Sequence, residues 1–347
     1  MVRISDIIGK KEEPKEPQEP NLPQPDKRLR QEPSGISLSQ MSETAPKQGL
    51  LNLDQTKALY QEMLSLASRV IKVAKAKQAL DVKEIDPTLQ KITEQILLEN
   101  NDLLIETYFS LKEDYLASHM VNSCIYSIKL AAALGYRDLS LKWLAQAAFL
   151  YDIGMIEVYD LANRPAKLID SELIQVRRHT ELGADLLKGV PDLGKEASLI
   201  VREHHEHFNA SGYPQGLAGS SIHEFSRIAA LCDMYEALTH ERKYKKRLSQ
   251  FESVKEVIKN KAIFDPKILK VFIDTFGVYP VGTLVQLNNQ EVASVVKNNK
   301  ESILRPVVSI VFDSGGQPPK GPKIIDLAKQ TNLYIKKPLE DDSLNQK

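Results

Sequence analysis

The chain has 347 residues, 46 of them basic and 46 acidic, so its formal net charge is zero. That balance excludes a global basic field for nucleic acid polymers or anionic membranes, and any anionic ligand must be met by local charge. With 42% apolar and 27% charged residues, the bulk is expected to form a globular core, in two modest domains plus tails.

Residues 1–49 read as a disordered tail. Pro14, Pro17, Pro20, Pro23, Pro25 and Pro33 recur among Lys, Glu and Gln, and such a stretch buries too little apolar surface to offset chain entropy. Within it, Ile4-Ser5-Asp6-Ile7-Ile8 is either a short docking motif for a signalling partner or an apolar cluster without a role. The start is too short and too acidic for a secretory signal, and no apolar run approaches a membrane span. Cys124 and Cys232 lie far apart in apolar surroundings and read as core residues in a reducing compartment. A cytoplasmic protein is therefore expected.

The segment 50–114 reads as helical. Leu59, Met63, Leu66, Val70 and Val73 follow a three-to-four residue spacing. Asp86 as N-cap with Pro87 at the first helical position predicts a second helix start, and Ile92, Ile96 and Leu97 extend its apolar face. This region carries no obvious chemistry and reads as a packing or homodimerisation bundle.

Helical periodicity continues over 115–275, which holds all seven histidines. Pro165, Gly189-Val190-Pro191 and Gly212-Tyr213-Pro214 punctuate it. Asp152 follows the apolar helix Leu144–Leu150, and Asp233 follows Ile228–Cys232. A carboxylate ending an apolar helix is costly to desolvate unless a cation supplies the missing charge. His204-His205-Glu206-His207 is a metal-site candidate or a His-rich surface turn. The two aspartates, with His119 and His179 on other helices, are candidates to converge on one polar pocket. His207, His223 and His240 read as surface or capping residues.

From Gly277 the texture changes. Residues 282–287, 291–296 and 306–312 are β-branched and partly alternating, separated by Asn288-Asn289 and Asn298-Asn299. Asp313-Ser314-Gly315-Gly316 closes the last, which predicts a small antiparallel β-module over 277–339, before a tail at 340–347. The expected class is mainly α with this β appendage. No internal repeat is present.

The stretch 115–246 resembles an HD-GYP domain, a branch of the HD superfamily of metal-dependent phosphohydrolases. His119-Met120-Val121-Asn122-Ser123 resembles the family's first-histidine helix, and Ala147–Gly154 the segment that normally carries the His-Asp pair. Arg178-His179-Thr180-Glu181-Leu182-Gly183 resembles the next histidine helix. His204-His205-Glu206, Gly212-Tyr213-Pro214 and Arg227–Thr239 are similar to the defining signature and the last aspartate helix. Weaker similarity extends over 54–114 and 277–339. The resemblance implies an HD-superfamily helical bundle holding two divalent transition metals, iron or manganese. It also implies a cyclic dinucleotide, chiefly cyclic di-GMP, as substrate.

The implied ligands are His119, Asp152, His179, His204, His205 and Asp233, with Asp152 bridging and orienting the attacking hydroxide. A two-metal site of this kind lowers the pKa of a water and clamps a phosphodiester for in-line attack. Gly212, Tyr213 and Pro214 would shape the substrate pocket.

The sequence departs from the family pattern at three places. Tyr151 replaces the histidine of the His-Asp pair, which leaves occupancy of one metal position in doubt, since a phenol near pKa 10 ligates divalent metals poorly. Met155 replaces a lysine that would contact phosphate. Arg242-Lys243-Tyr244 replaces the usual Arg-Pro-Tyr. The basic run from Arg242 through Lys246 to Arg247 is either a phosphate-binding element, with Arg242 its best candidate, or a solvated helix start. Tyr115 stands where trinuclear members have glutamate, which implies no third metal, and Glu113 and Asp114 fall on other helix faces. Three functions follow: a weakened phosphodiesterase, an inactive HD-GYP-like protein that signals by ligand or protein contact, and an interaction module without ligand.

Overall fold

A computed structural model of the chain describes residues 49–109, 115–164, 166, 168–194, 196–240 and 247–339. The N-terminal tail with Ile4–Ile8, Glu113, Asp114, Pro165, the basic residues Arg242–Lys246 and the tail 340–347 lie outside the described residues.

Among the described residues, three helices precede the histidine-bearing region: α1 (Leu53–Lys75), α2 (Val82–Leu97) and α3 (Asp102–Phe109). A capping box starts α1. The Asn52 side chain accepts from Gln55 N at 2.9 Å, and Gln55 Oε1 accepts from Asn52 N at 3.0 Å. Leu59, Met63, Leu66 and Val70 are buried as their spacing predicts.

The second helix begins earlier than Asp86-Pro87 suggests. Asp81 is its N-cap, accepting from Lys83 N at 2.9 Å, and Pro87 sits in the second turn, where its missing N–H leaves one helix bond unmade. Asp86 serves packing between helices instead. It accepts from Gln146 Nε2 at 2.7 Å and pairs with Lys142 at 2.6 Å. Leu97 is exposed rather than on the apolar face.

Next come α4 (Tyr115–Ala133) and α5 (Asp138–Leu150), a 3₁₀ turn (Ile153–Glu157) and α6 (Tyr159–Ala162). They are followed by α7 (Asp170–Arg177), α8 (His179–Leu186), α9 (Ala197–Glu203) and α10 (Glu224–Thr239), then α11 (Gln250–Lys259) and α12 (Pro266–Phe276). The hub is α4. It is apolar nearly all round, as a helix enclosed by others must be, and it packs against α1, α2, α3, α5, α10 and α12. Among the described residues, no helix is long and apolar enough to cross a membrane.

A five-stranded antiparallel sheet closes the chain in the order β4-β3-β2-β1-β5. Its strands are β1 (Leu284–Leu287), β2 (Val292–Lys297), β3 (Val307–Phe312), β4 (Ile324–Asp326) and β5 (Ile335–Pro338). Burial alternates along β1 to β3, and Val285, Leu287, Ala293, Val295, Val308 and Ile310 form a separate small core. The sheet is tied to the helices by side-chain amides: Asn298 Nδ2 donates to Phe276 O at 2.6 Å, and Asn101 Nδ2 to Val296 O at 3.2 Å.

Candidate metal centre

His119 stands near the start of α4, and Tyr151 and Asp152 follow α5. His179 opens α8, His204 and His205 follow α9, and Asp233 lies within α10. The expectation that Asp233 ends its helix is corrected. The apolar face resumes at Tyr235 and Leu238, both buried, so α10 runs on to Thr239 and carries Asp233 mid-helix.

The close approach of two backbones sets the first half of the site. A Cβ on Gly154 would lie 2.0 Å from His179 O and 2.5 Å from Gly183 N. Only a glycine lets the 3₁₀ turn rest on α8 and bring Asp152 beside His179.

These groups fall into two clusters that share one carboxylate. Asp152, His179, His204 and His205 form the first, and His119, Asp152 and Asp233 the second; within each, the donor atoms lie within 4.8 Å of one another. Asp152 divides its oxygens between them. Oδ1 is 3.2 Å from His179 Nε2 and 3.4 Å from His204 Nε2, while Oδ2 is 2.8 Å from His119 Nε2. Asp233 also reaches both, with Oδ1 3.3 Å from His119 Nε2 and Oδ2 3.9 Å from His205 Nδ1.

The donor set fits a cation. His179 Nδ1 faces Val176 O at 2.7 Å and His204 Nδ1 faces Val201 O at 2.8 Å, so each Nδ1 carries the proton. Their Nε2 lone pairs then point inward at each other, 3.2 Å apart. Asp152 Oδ1, buried and without a hydrogen-bond partner, points to the same spot. Three lone-pair atoms meeting in a buried pocket repel one another unless positive charge lies between them, and imidazole with carboxylate suits divalent first-row metals.

Charge in the pocket follows the same logic. Burial opposes ionisation of Asp152, but the imidazoles of His119, His179 and His204 around it hold its carboxyl well below the usual range. Asp233, likewise buried, is drawn down to about 2 by His119 and His205. Burial and the neighbouring His204 push His205 well below the usual imidazole range, so it is neutral and able to ligate.

Tyr151 behaves differently. Burial, then the charges of Asp233 and Asp152, push its phenol well above its ordinary value. The hydroxyl therefore keeps its proton and donates to Asp233 Oδ1 at 3.2 Å. Beside the second cluster Tyr151 therefore offers a hydrogen-bond donor and no lone pair on nitrogen. Met155 is partly buried and packs against the helical core.

The Gly-Tyr-Pro turn borders the first cluster. Gly212 has no room for a side chain, since a Cβ would lie 2.3 Å from His207 N. Tyr213 stacks on His205 with ring centroids 4.8 Å apart, and the Tyr213–Pro214 peptide is cis. Glu206, buried, staples the loop by accepting from Gln215 N at 2.6 Å, Gly216 N at 3.1 Å and Leu217 N at 2.9 Å. The exposed Arg177 guanidinium lies over the other part of this rim, 4.9 Å from the Tyr213 centroid. A surface depression of about 400 Å³ beside Arg202 and Glu203 contains none of the clustered groups.

Residues 110–268 match the HD domain family model, and residues 284–347 match the KOW domain associated with HD domain. A cyclic di-GMP phosphodiesterase of Pseudomonas aeruginosa is 32% identical over 265 residues, covering 76% of this chain and 64% of that protein. The cyclic di-GMP phosphodiesterase PdeB of Borreliella burgdorferi is 24% identical over 243 residues, covering 67% and 62%. The chain carries an HD domain followed by a KOW domain of the kind associated with it. The chain also shares its fold with Bd1817, an HDG"Y"P protein from Bdellovibrio bacteriovorus, at a TM-score of 0.51 and 15% identity, over 67% of this chain and 74% of that one. The chain spans a little under two thirds of the length of the two curated relatives.

The HD domain brings all six sequence-expected ligand candidates together, with Gly212, Tyr213 and Pro214 at their edge. Arg242 and Lys246 lie outside the described residues. His204 is buried, so the reading of the histidine run as a surface turn is set aside. His223 caps α10, accepting from Phe225 N at 3.2 Å, and His207 pairs with Ser211 Oγ at 2.8 Å.

His240 is corrected. It is buried, with Nδ1 3.0 Å from Glu236 Oε1 and Nε2 2.7 Å from Thr107 O, because the turn ending α10 folds it back against α3. Sequence reasoning also missed Glu236, whose Oε2 accepts from His119 Nδ1 at 2.6 Å. Its signal was there: a carboxylate three residues after Asp233 shares that residue's helix face. Arg177 carried no pattern of its own, and Glu206 stood in the histidine run without a sign of its role in holding the loop.

Proposed function

We propose that this protein is a metal-dependent phosphodiesterase acting on a cyclic dinucleotide, cyclic di-GMP first, with activity weakened at Tyr151 and Met155. The observation that carries the reading is the pair of His/Asp clusters sharing Asp152 beside the Gly-Tyr-Pro turn. The names of the curated relatives support it. The catalytic domain would run over 115–275, between a helical region at 50–114 and the β-module at 277–339. The buried, unpaired Cys124 and Cys232 agree with a cytoplasmic setting, and the N-terminal tail would dock a signalling protein.

His179, His204, His205 and Asp152 would hold one cation, and His119, Asp152 and Asp233 the second, with iron or manganese the best match to such ligands. Two bound cations would supply Lewis acidity to the phosphodiester and acidify a water between them. Asp152, one oxygen toward each cluster, fixes their spacing. Tyr213 and Arg177 form an aromatic and cationic rim where a base and a phosphate can rest.

The test is metal content and turnover on one sample. Purified protein is expected to carry close to stoichiometric iron or manganese and to hydrolyse cyclic di-GMP slowly with Mn²⁺. A metal-free protein that also fails to bind Mn²⁺ would sink the reading.

The chain's own departures favour a second reading. With Tyr151 tied to Asp233 and Met155 packed in the core, the domain would bind metal and nucleotide without turnover. Tight cyclic di-GMP binding with no hydrolysis selects it.

Arg177→Ala probes the rim under either reading. Loss of one charge-assisted contact, about 1.5–3 kcal/mol, should raise KM or Kd for cyclic di-GMP by about 10-fold or more. Metal content should not change.

A further inference from the structure

Glu236 is fully buried, at 0% exposure, in α10, where Leu231, Cys232, Tyr235 and Leu238 are buried as well. A carboxylate in such a place is costly unless it is paired, and packing alone would be served as well by an apolar side chain. Both of its oxygens are engaged. Oε2 accepts from His119 Nδ1 at 2.6 Å. Oε1 lies 3.0 Å from His240 Nδ1 and accepts from Asn122 Nδ2 at 3.4 Å. Each of those partners is itself anchored in a preceding helix. His240 Nε2 lies 2.7 Å from Thr107 O of α3, and Asn122 Oδ1 accepts from Tyr60 OH of α1 at 2.6 Å. The carboxylate is thus gripped from α1, α3 and α4 at once, and the plane of the His119 ring is fixed with it.

The three histidines that point Nε2 into the clusters do not share the same kind of support. His179 and His204 give their Nδ1 protons to backbone carbonyls, at 2.7 Å and 2.8 Å. His119 gives its Nδ1 proton to a carboxylate, which raises the electron density at Nε2 and makes it the stronger donor toward a metal. That stronger ligand sits in the poorer cluster, the one of His119, Asp152 and Asp233, in which Tyr151 offers a protonated hydroxyl instead of a lone pair on nitrogen.

We propose that Glu236 is the positioning residue for His119, and that it sustains metal binding at the Tyr151-bearing cluster through a hydrogen-bonded frame anchored in the N-terminal helices. It rests on the metal-binding part of the function proposed above and not on hydrolysis. Glu236 touches neither substrate nor metal; it acts through the imidazole.

Mn²⁺ titration of the full-length protein, followed by calorimetry and by electron paramagnetic resonance of the free ion, tests this directly. Wild-type protein is expected to take up two ions. Glu236→Gln, which keeps the shape and removes the charge, should weaken one of them about 10- to 100-fold and leave the other within about 2-fold. His240→Gln should weaken the same ion by less, and it serves as the readout if the first variant does not fold. Unchanged affinity at both positions overturns the proposal. So does equal weakening of both, since that marks general loosening rather than support of one ligand. Wild-type protein taking up fewer than two ions overturns the two-cluster reading together with it, whereas two-ion binding without hydrolysis leaves the role of Glu236 standing and sinks only the catalytic assignment.

Discussion

Asp152→Ala should strip both metal positions at once, lowering Mn²⁺ affinity at each by at least about 100-fold. The reason is the division of its oxygens, Oδ1 toward His179 and His204 and Oδ2 toward His119. Asp152 alone of the six belongs to both clusters, and Asp233 approaches the first only through the longer 3.9 Å contact with His205. Removing it leaves the inward Nε2 atoms of His179 and His204 facing each other at 3.2 Å with no anion to balance a cation between them. Elemental analysis of the purified variant should find metal reduced to a trace, and turnover should vanish with it. Full metal content in Asp152→Ala would contradict the site itself. The contrast with Glu236→Gln, which should spare one ion, separates a shared ligand from a supporting one.

Tyr151→His combined with Met155→Lys should raise hydrolysis of cyclic di-GMP by about 10²-fold, the effect expected when an electrostatic contact to the transition state is restored. The two changes act at different points. The Tyr151 hydroxyl reaches to 3.2 Å from Asp233 Oδ1 and 3.5 Å from His119 Nε2, filling the space a ligand nitrogen would leave to a metal. An imidazole is shorter than a phenol, and the gap is of the size that a metal–nitrogen bond of about 2 Å spans. The second cluster would then have four ligands in place of three. Met155 now contributes only packing to the core; an ammonium there would return a cation for phosphate. Turnover assays of the two single variants and the double variant, with metal content measured on each, check the result. Higher metal occupancy without higher turnover would place the defect elsewhere than at these two residues.

The family resemblance picked out all six ligand candidates from separate motifs spread over His119 to Asp233, because each motif keeps its local residues whatever the tertiary context. The β-module was legible for a different reason. Alternation of apolar residues over 282–287, 291–296 and 306–312 needs only the period of two, and it placed β1, β2 and β3 within two residues of their ends. The short edge strands β4 and β5, with three and four residues, carry too little pattern to stand out. The start of α2 was misplaced because Asp86-Pro87 looks like a cap, while Asp81 five residues earlier takes that role and Asp86 is drawn to Lys142 and Gln146 of another helix. A signal read along the chain cannot register a partner some sixty residues away.

The amino-acid sequence by itself determined that the region from residue 50 to residue 275 is helical, which residue types can ligate a metal, and that a tyrosine stands beside Asp152. Only the tertiary structure decided that one carboxylate serves two clusters, that the Tyr151 hydroxyl donates to Asp233, and that Glu236 meets His119 from behind, held in turn by Asn122 and, through it, Tyr60. Helix formation and ligand chemistry depend on neighbours a few residues apart. Orientation of a buried imidazole depends on which oxygen from a distant helix meets its far nitrogen, and that is fixed only when the helices pack.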